Sequence, residues 1–447
     1  MAVACMDIAN SNGVIQAGFH SVSDSQPHIN NTTRCAPDAV VCPFCALLCD
    51  DLILAPKPDL SFTITRNGCR RASEDFARVP LANTPRVAGR EVTLEVAVRA
   101  AARRLKRAYQ PLFGGLATDV DGMRAALDLA ESCGAILDHA HGETLAAMTR
   151  LLQTRGWYAA TLSELRNRAD MVLLVGVDLA DRYENLSRRC LWPEHTLDEE
   201  TLATRRIVYL GATPPGALVR ACDSLKCSAA AVVDVLRAVL AVLKQQPLAT
   251  TRAGGLAPNK IQALADSLRA ARYSALVFAP AHLPAPRDPA LALLCEIIDE
   301  LNRSGRAALV PLGGDDGGQT AVSTCAWLTG YPLRIRHGLN IDYQPHSNAT
   351  AKLLDGGGAD TLLWIDAYGR LSDLPAQARV EDSIVLAASS NARSVSAAVF
   401  IPVGTPGLDH AARLVRTDAV VSLPLVAQRH SGLPAVATVL RAIAAAL

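Results

Sequence analysis

Four cysteines carry the clearest chemical signal in the sequence. Cys42-Pro43-Phe44-Cys45-Ala46-Leu47-Leu48-Cys49 spaces three thiols by two and three residues, and Cys69 follows after nineteen intervening residues in Asn67-Gly68-Cys69-Arg70. Short spacers fold a loop around one centre, and a distant fourth thiol closes it. The pattern suits a [4Fe-4S] cube, or less well a zinc ion. It equally suits an apolar knot of thiols left from a centre that is no longer filled. The other cysteines, among them Cys133, Cys190, Cys295 and Cys325, read as small buried hydrophobes. Twelve cysteines in 447 residues are too few for a disulfide scaffold.

A second, weaker constellation is His139-Ala140-His141-Gly142, which follows the apolar run Ala135-Ile136-Leu137-Asp138. Two histidines flanking one residue can bind a metal, but no carboxylate partner is evident nearby in sequence. Their place after a strand end is where open sheets put their sites. Gly114-Gly115 and Gly313 to Gly318 match neither dinucleotide nor P-loop fingerprints and read as turns. Asp315-Asp316 would repel phosphate unless it faced away. Arg334, Arg336 and His337 form a basic trio expected on a solvated or interface face; Trp327, Trp364 and Tyr368 read as packing residues.

Elements must hold these residues in place. Leu52, Leu54, Leu60, Phe62 and Ile64 alternate and predict short strands beside the cysteine loop. Residues 93–108 predict a helix, with Thr93 as its cap and Leu94, Ala97, Val98, Ala101 and Leu105 on its apolar side. Continuous apolar runs then alternate with helical stretches: 111–115, 134–138, 171–176, 207–211, 274–278, 307–310, 362–365, 384–387 and 398–402. That is the pattern of parallel sheets covered on both faces. The fold class is therefore α/β and multi-domain, with Rossmann-like lobes. The expected divisions are a leader at 1–38, a small cysteine module at 39–80, a first lobe at 81–250 and a second lobe with the C-terminal segment at 258–447.

Composition excludes several classes. Forty-four Lys and Arg balance 43 Asp and Glu, which argues against a nucleic-acid binder of phosphate-tracking type. No apolar run reaches the roughly 20 residues of a membrane span. The first residues lack a basic stretch leading into an apolar one, so no secretory signal is expected and the chain reads as cytoplasmic.

From about residue 40 to 425 the sequence resembles the B subunits of the formylmethanofuran dehydrogenases. The resemblance is carried by the cysteine motif with Asp50-Asp51, Asn67-Gly68-Cys69, the stretch from Gly122 to Asp138, Asn167 to Asp170, Thr329-Gly330-Tyr331-Pro332 and Ile401-Pro402. It implies lobes of molybdopterin-oxidoreductase type. It also implies a [4Fe-4S] cluster on Cys42, Cys45, Cys49 and Cys69, and a tungsten or molybdenum bis-pterin that interconverts carbon dioxide and formate. The family's metal-ligating cysteine lies in a Cys-His-Gly segment, and here that segment is Ala140-His141-Gly142. A methyl group cannot coordinate a metal. The family's basic segment after the next strand stands here as Arg182-Tyr183-Glu184-Asn185, and the pattern near the C-terminal pterin region is degraded around Gly407 to Arg413.

The departures gather where the chemistry would be, with His139, Ala140, His141 and Gly142 marking a degenerate pterin site. The resemblance then implies the B (beta) component of a formyltransferase/hydrolase complex of formaldehyde oxidation in methylotrophs. Such a complex passes a formyl group from formyl-tetrahydromethanopterin to a methanofuran-like carrier and releases formate. This chain would be its non-catalytic scaffold, with a hydrolase-like A subunit, a C subunit and a formyltransferase D subunit as partners and the carrier's polyglutamate tail as a contact. The expectation is no catalytic residue of its own, no cofactor, and a filled or collapsed pterin cavity. The alternatives are a [4Fe-4S] cluster kept without the pterin, or an active tungsten- or molybdenum-pterin formate/formylmethanofuran dehydrogenase subunit.

Overall fold

The computed structural model describes residues 38–447 except 82–83, 178, 181, 213–221, 249, 372–373 and 389–395. All but the last residue of the expected leader, with Cys5 and Cys35, lies outside the described residues. The chain is a mixed α/β fold built on two large sheets. Five strands, all parallel, lie in the order Ala307–Pro311, Ser274–Phe278, Met171–Val175, Arg206–Gly211 and Asp223–Lys226. The strands Met171–Val175 and Ser274–Phe278 are buried along their whole length because helices cover both faces.

The second sheet has nine strands among the described residues. Its parallel centre runs Ile136–Leu137, Pro111–Ala117, Thr361–Asp366, Ser383–Ala388 and Val399–Val403. Short antiparallel strands finish both edges: Ile335–Arg336 with Asp342–Tyr343, and Arg86–Val87 with Arg90–Glu91. Each sheet therefore draws strands from both sides of the seam expected at 250–258. The chain leaves the nine-stranded sheet after Leu137 and returns to it after Pro311. The loops at these two crossings, Asp138–His141 and Leu312–Gly317, leave the carboxyl ends of parallel strands and carry the residues described below.

The small cysteine module is the antiparallel pair Ile53–Pro56 and Phe62–Arg66, the cysteine loop and the helix Arg70–Phe76. Phe44 and Phe62 both pack edge-on against Phe76 at its centre. Leu60 does not belong to the strand pattern: it sits in the turn at φ 65° and is exposed. Thr93 caps the helix Leu94–Arg107, accepting from the Val96 N–H at 3.3 Å, but Leu94 faces solvent. Gly114 and Gly115 are not a turn. They lie within a strand, where a Cβ on Gly114 would come 2.8 Å from the Trp364 ring and one on Gly115 2.4 Å from the Ile365 carbonyl oxygen. Glycine there lets the neighbouring strand close in.

Trp364 and Tyr368 are buried as packing residues, whereas Trp327 is exposed. The basic trio divides. Arg336 is exposed, but Arg334 is buried and clamps the Asp138 loop, with Nε 3.1 Å from Asp138 and Nη2 2.7 Å from Glu143. A buried guanidinium with two acids nearby is structural, so the solvated face expected for Arg334 is corrected. Cys190, Cys295 and Cys325 are buried and Cys133 is half-buried. No helix among the described residues is long and apolar enough to cross a membrane.

A buried cation is among the groups that join the module to the sheets. Arg71, on the helix Arg70–Phe76, reaches Asp316 at 2.9 Å and Asp315 at 3.5 Å. Removing one partner of a buried ion pair strands the others without compensation. Arg71→Met should lower the unfolding free energy by about 3–5 kcal/mol, read by urea denaturation; a loss within about 0.5 kcal/mol, as at an ordinary surface site, would show that the acids are solvated.

Candidate functional site

The structure brings Cys42, Cys45, Cys49 and Cys69 together around one small pocket, with Arg182, Glu184 and Asn185 completing its wall. The loop closes on itself: Cys42 N–H donates to the Cys49 carbonyl at 2.8 Å and Leu48 N–H to the Cys45 carbonyl at 3.1 Å. Leu48 takes φ 46° to make that turn. Cys69 is the cap of the helix Arg70–Phe76, its sulfur accepting from the Ala72 N–H at 3.4 Å. Asn185 Nδ2 lies 3.8 Å from the Cys49 sulfur and donates to the Asn67 carbonyl at 3.0 Å.

Burial raises all four thiol pKa values, and for Cys42 the neighbouring Cys45 and Cys49 add to it. Cys49 is pushed up to about 12 by burial, although the Arg189 charge pulls the other way. Without a metal the four are therefore neutral, unreactive thiols near pH 7. The donor set fits a thiolate-held centre in kind and number. The pocket they border is about 10 Å³, the room of a single water. No group of three or more His, Cys, Asp or Glu side chains among the described residues is set to hold a metal ion.

The loops at the two crossings meet beside this module. Asp315 accepts from the Ala46 N–H of the cysteine loop at 2.9 Å and from the Tyr183 hydroxyl at 3.3 Å. Arg182 Nη1 stands 3.7 Å from the same carboxylate. Asp316 turns the other way, with His141 Nε2 at 2.9 Å. His139 is fully enclosed. Its Nδ1 accepts from the His141 N–H at 3.0 Å, so Nε2 carries the hydrogen and donates to the Asp316 carbonyl at 3.1 Å. Gly142 is required by Asp138, since a Cβ there would lie 2.2 Å from the carboxylate. Gly318 opens the next helix against the His139 ring.

These groups bias one another. Burial opposes the charge of Arg71, but Asp316 and Asp315 outweigh it and hold the guanidinium's pKa above its ordinary value. Burial pushes Asp316 up; the hydrogen bond with His141 and the Arg71 charge overcome it and bring the carboxyl down to about 2. His139 is lowered to about 3 by burial and by the neighbouring His141. Asp366, at the end of the strand Thr361–Asp366, is raised to about 7 by burial and by Asp316, although three backbone N–H groups favour its ionised form.

Ala140 and His141 face a cavity of about 530 Å³ between the crossing loops. Its far wall is Pro311 to Asp315, with Pro280, Ala281 and Arg287. The filled or collapsed space expected at this place is therefore not what the fold contains. No cysteine lines the cavity among the described residues, and the side chain at 140 is a methyl, so the residues present do not offer tungsten or molybdenum a thiolate ligand. Of the remaining positions, Arg182 borders both the cavity and the cysteine pocket, whereas the turn from Gly407 to Arg413 stands apart from both. There Asp409 binds Arg429 at 2.7 Å.

The comparisons with known proteins agree with the architecture. The chain is 29% identical over 326 residues to the B subunit of the formyltransferase/hydrolase complex Fhc of Methylorubrum extorquens, covering 72% of this chain and 85% of that one. It is 25% identical over 341 residues to the B subunit of the tungsten-containing formylmethanofuran dehydrogenase 2 of Methanocaldococcus jannaschii, covering 72% and 77%. It also superposes on a chain of the crystal structure of the Methylorubrum extorquens formyltransferase/hydrolase complex FhcABCD in complex with methylofuran. There the TM-score is 0.69 at 27% identity, over 81% of this chain and 98% of that one. The chain is a homologue of the B subunits of the formylmethanofuran dehydrogenases and Fhc complexes. No protein-family model matches it. In this B-type homologue the sequence marks the cysteines, the His139-to-Gly142 segment and Tyr183 within Arg182 to Asn185, but not Arg71 or Asp366; the one local cue is Arg71 two residues after Cys69.

Two measurements follow from the site's electrostatics. Alkylation mapped by mass spectrometry should leave Cys42, Cys45 and Cys49 unlabelled in the native protein at pH 8 and label them after unfolding; native labelling would show that the pocket opens. The second concerns pH. His139, neutral in the fold, contributes stability above its ordinary value of 6.5 that is lost as pH falls toward about 3. Asp366, protonated in the fold, contributes stability below the ordinary 3.8 that is lost as pH rises through about 7. The slopes oppose between these limits. Asp366→Asn removes one, so its stability should rise with pH from 4 to 6.5 more steeply than that of the unaltered chain, by up to about 1.4 kcal/mol per pH unit. Equal slopes in urea titrations would mean that Asp366 is ionised in the fold.

Proposed function

We propose that this chain is a non-catalytic scaffold subunit of an Fhc-type formyltransferase/hydrolase complex. The complex would pass a formyl group from formyl-tetrahydromethanopterin to a methanofuran-like carrier and release formate. The observation that supports this most is Ala140. It stands at the cavity, where the resemblance puts the pterin metal's cysteine, and a methyl has no lone pair to give. His139 does not replace it, because it uses both ring nitrogens within the protein, and His141 commits Nε2 to Asp316. In this reading the redox step is absent, and formyl transfer and hydrolysis belong to A, C and D subunits like those of the relative's complex. The carrier's polyglutamate tail is a contact of the assembled complex. The lobes are of the Rossmann-like, molybdopterin-oxidoreductase kind, and the complex is cytoplasmic, where unpaired buried cysteines stay reduced.

A second reading is favoured by the convergence of Cys42, Cys45, Cys49 and Cys69: they hold a [4Fe-4S] cluster without a pterin. Such a cluster supplies one-electron transfer or a structural cross-link when bound.

Elemental and pterin analysis of the complex purified anaerobically on a tag attached to this chain separates the readings. The scaffold role predicts co-purifying partner subunits, formyl-transfer activity and no tungsten, molybdenum or extractable pterin. Tungsten or molybdenum in proportion to the chain would overturn it. Iron and sulfide in a four-to-four ratio per chain, lost together in a Cys42→Ser variant, would establish the cluster.

A further inference from the structure

The cavity beside Ala140 is too large to be a packing defect and has the make-up of a ligand site. We infer that it binds a small molecule with an apolar body and one anionic group, held by Arg287. This goes beyond the scaffold role and uses none of the residues that role assigns to catalysis, since it assigns none.

The volume, about 530 Å³, is in the range of small-molecule sites. Most of the wall is apolar: Leu145, Met148, Leu152 and Trp157 on one side, Pro280 and Leu312 on the other. Leu152 is 55% exposed at the cavity, so apolar surface is kept in water that an occupant would cover.

The charges decide which occupant. Three carboxylates border the cavity, and each is already matched. Glu143 pairs with Arg334 at 2.7 Å, Asp418 with Arg416 at 2.7 Å, and Asp315 accepts from Ala46 N–H and faces Arg71 and Arg182. Arg287 is the exception. Its Nε donates to the Pro280 carbonyl at 2.9 Å, which fixes the plane of the guanidinium. Among the described residues it meets no carboxylate within ion-pair distance, and the adjacent acid, Asp288, is bound by Arg150 at 3.2 Å. Glu143 feels the Arg287 charge only at longer range, behind its own pairing with Arg334. The cavity thus presents a positioned guanidinium, its terminal nitrogens without an acid among the described residues, to an otherwise neutralised, apolar space. That geometry selects a carboxylate, sulfonate or phosphate on an apolar frame.

The test uses the purified full-length chain, shown free of pterin by extraction, and two fluorescent probes of like shape. 8-Anilinonaphthalene-1-sulfonate carries one negative charge; N-phenyl-1-naphthylamine carries none. The sulfonate should bind saturably, and Arg287→Gln should weaken it by about tenfold or more while leaving the neutral probe unchanged. Ala281→Trp, which places an indole in the cavity, should remove binding of both. Thermal unfolding of each variant at the wild-type midpoint keeps the comparison sound. Non-saturable sulfonate binding, equal affinity in Arg287→Gln, or equal loss of both probes in that variant would overturn the inference. A pterin extracted from the preparation would overturn the scaffold reading instead.

Discussion

A buried guanidinium between two adjacent carboxylates organises this molecule. Arg71 comes from a two-turn helix in the cysteine module; Asp315 and Asp316 come from the loop by which the chain returns to the nine-stranded sheet. Two neighbouring buried acids repel each other and lose hydration, so neither stays ionised unless a cation is placed between them. The two carboxylates then point apart. Asp315 binds the cysteine loop and Tyr183, while Asp316 binds His141 on the other crossing loop. Arg71 thereby links the module to one crossing directly and to the other through Asp316. Arg71 Nε has no hydrogen-bond partner among the described residues, which marks how far the side chain is committed to its acids.

The rest of the site is a consequence of how the sheets are connected. Parallel strands leave their loops at one end, and a chain that visits a second sheet and comes back produces two such loops facing each other. A cavity between them is a natural product of that path. In relatives whose names record tungsten, this type of chain serves redox chemistry. Here the frame carries Ala140 beside a cavity of about 530 Å³. Frame and chemistry are separable because the frame depends on buried ion pairs and apolar strands, whereas a metal ligand is one side chain.

Much of the fold was legible in the sequence. The apolar runs at 171–176, 274–278 and 307–310 predicted buried parallel strands because short, continuous apolar stretches alternate with helical ones. Strand order was not legible, since pairing of 171–175 with 274–278 is decided by tertiary packing and not by local pattern. Strands from both sides of the seam expected at 250–258 share each sheet. Of the site, the thiols and the Ala140-His141-Gly142 segment were visible through their spacing and through the family resemblance. Arg71 and Asp366 were not, because an arginine two residues from a cysteine or an aspartate at a strand end looks the same whether solvated or buried. Arg334 was misplaced on the surface for that reason.

Arg71 couples the cysteine loop to the histidine loop through its two acids. Native-state hydrogen exchange of an Arg71→Lys chain, which keeps the charge but loses the fork that reaches both acids, tests that coupling directly. Amides in 42–49 and in 138–145 should lose protection together, although the two segments lie far apart in sequence. Loss confined to the helix Arg70–Phe76, with both loops still protected, would contradict it.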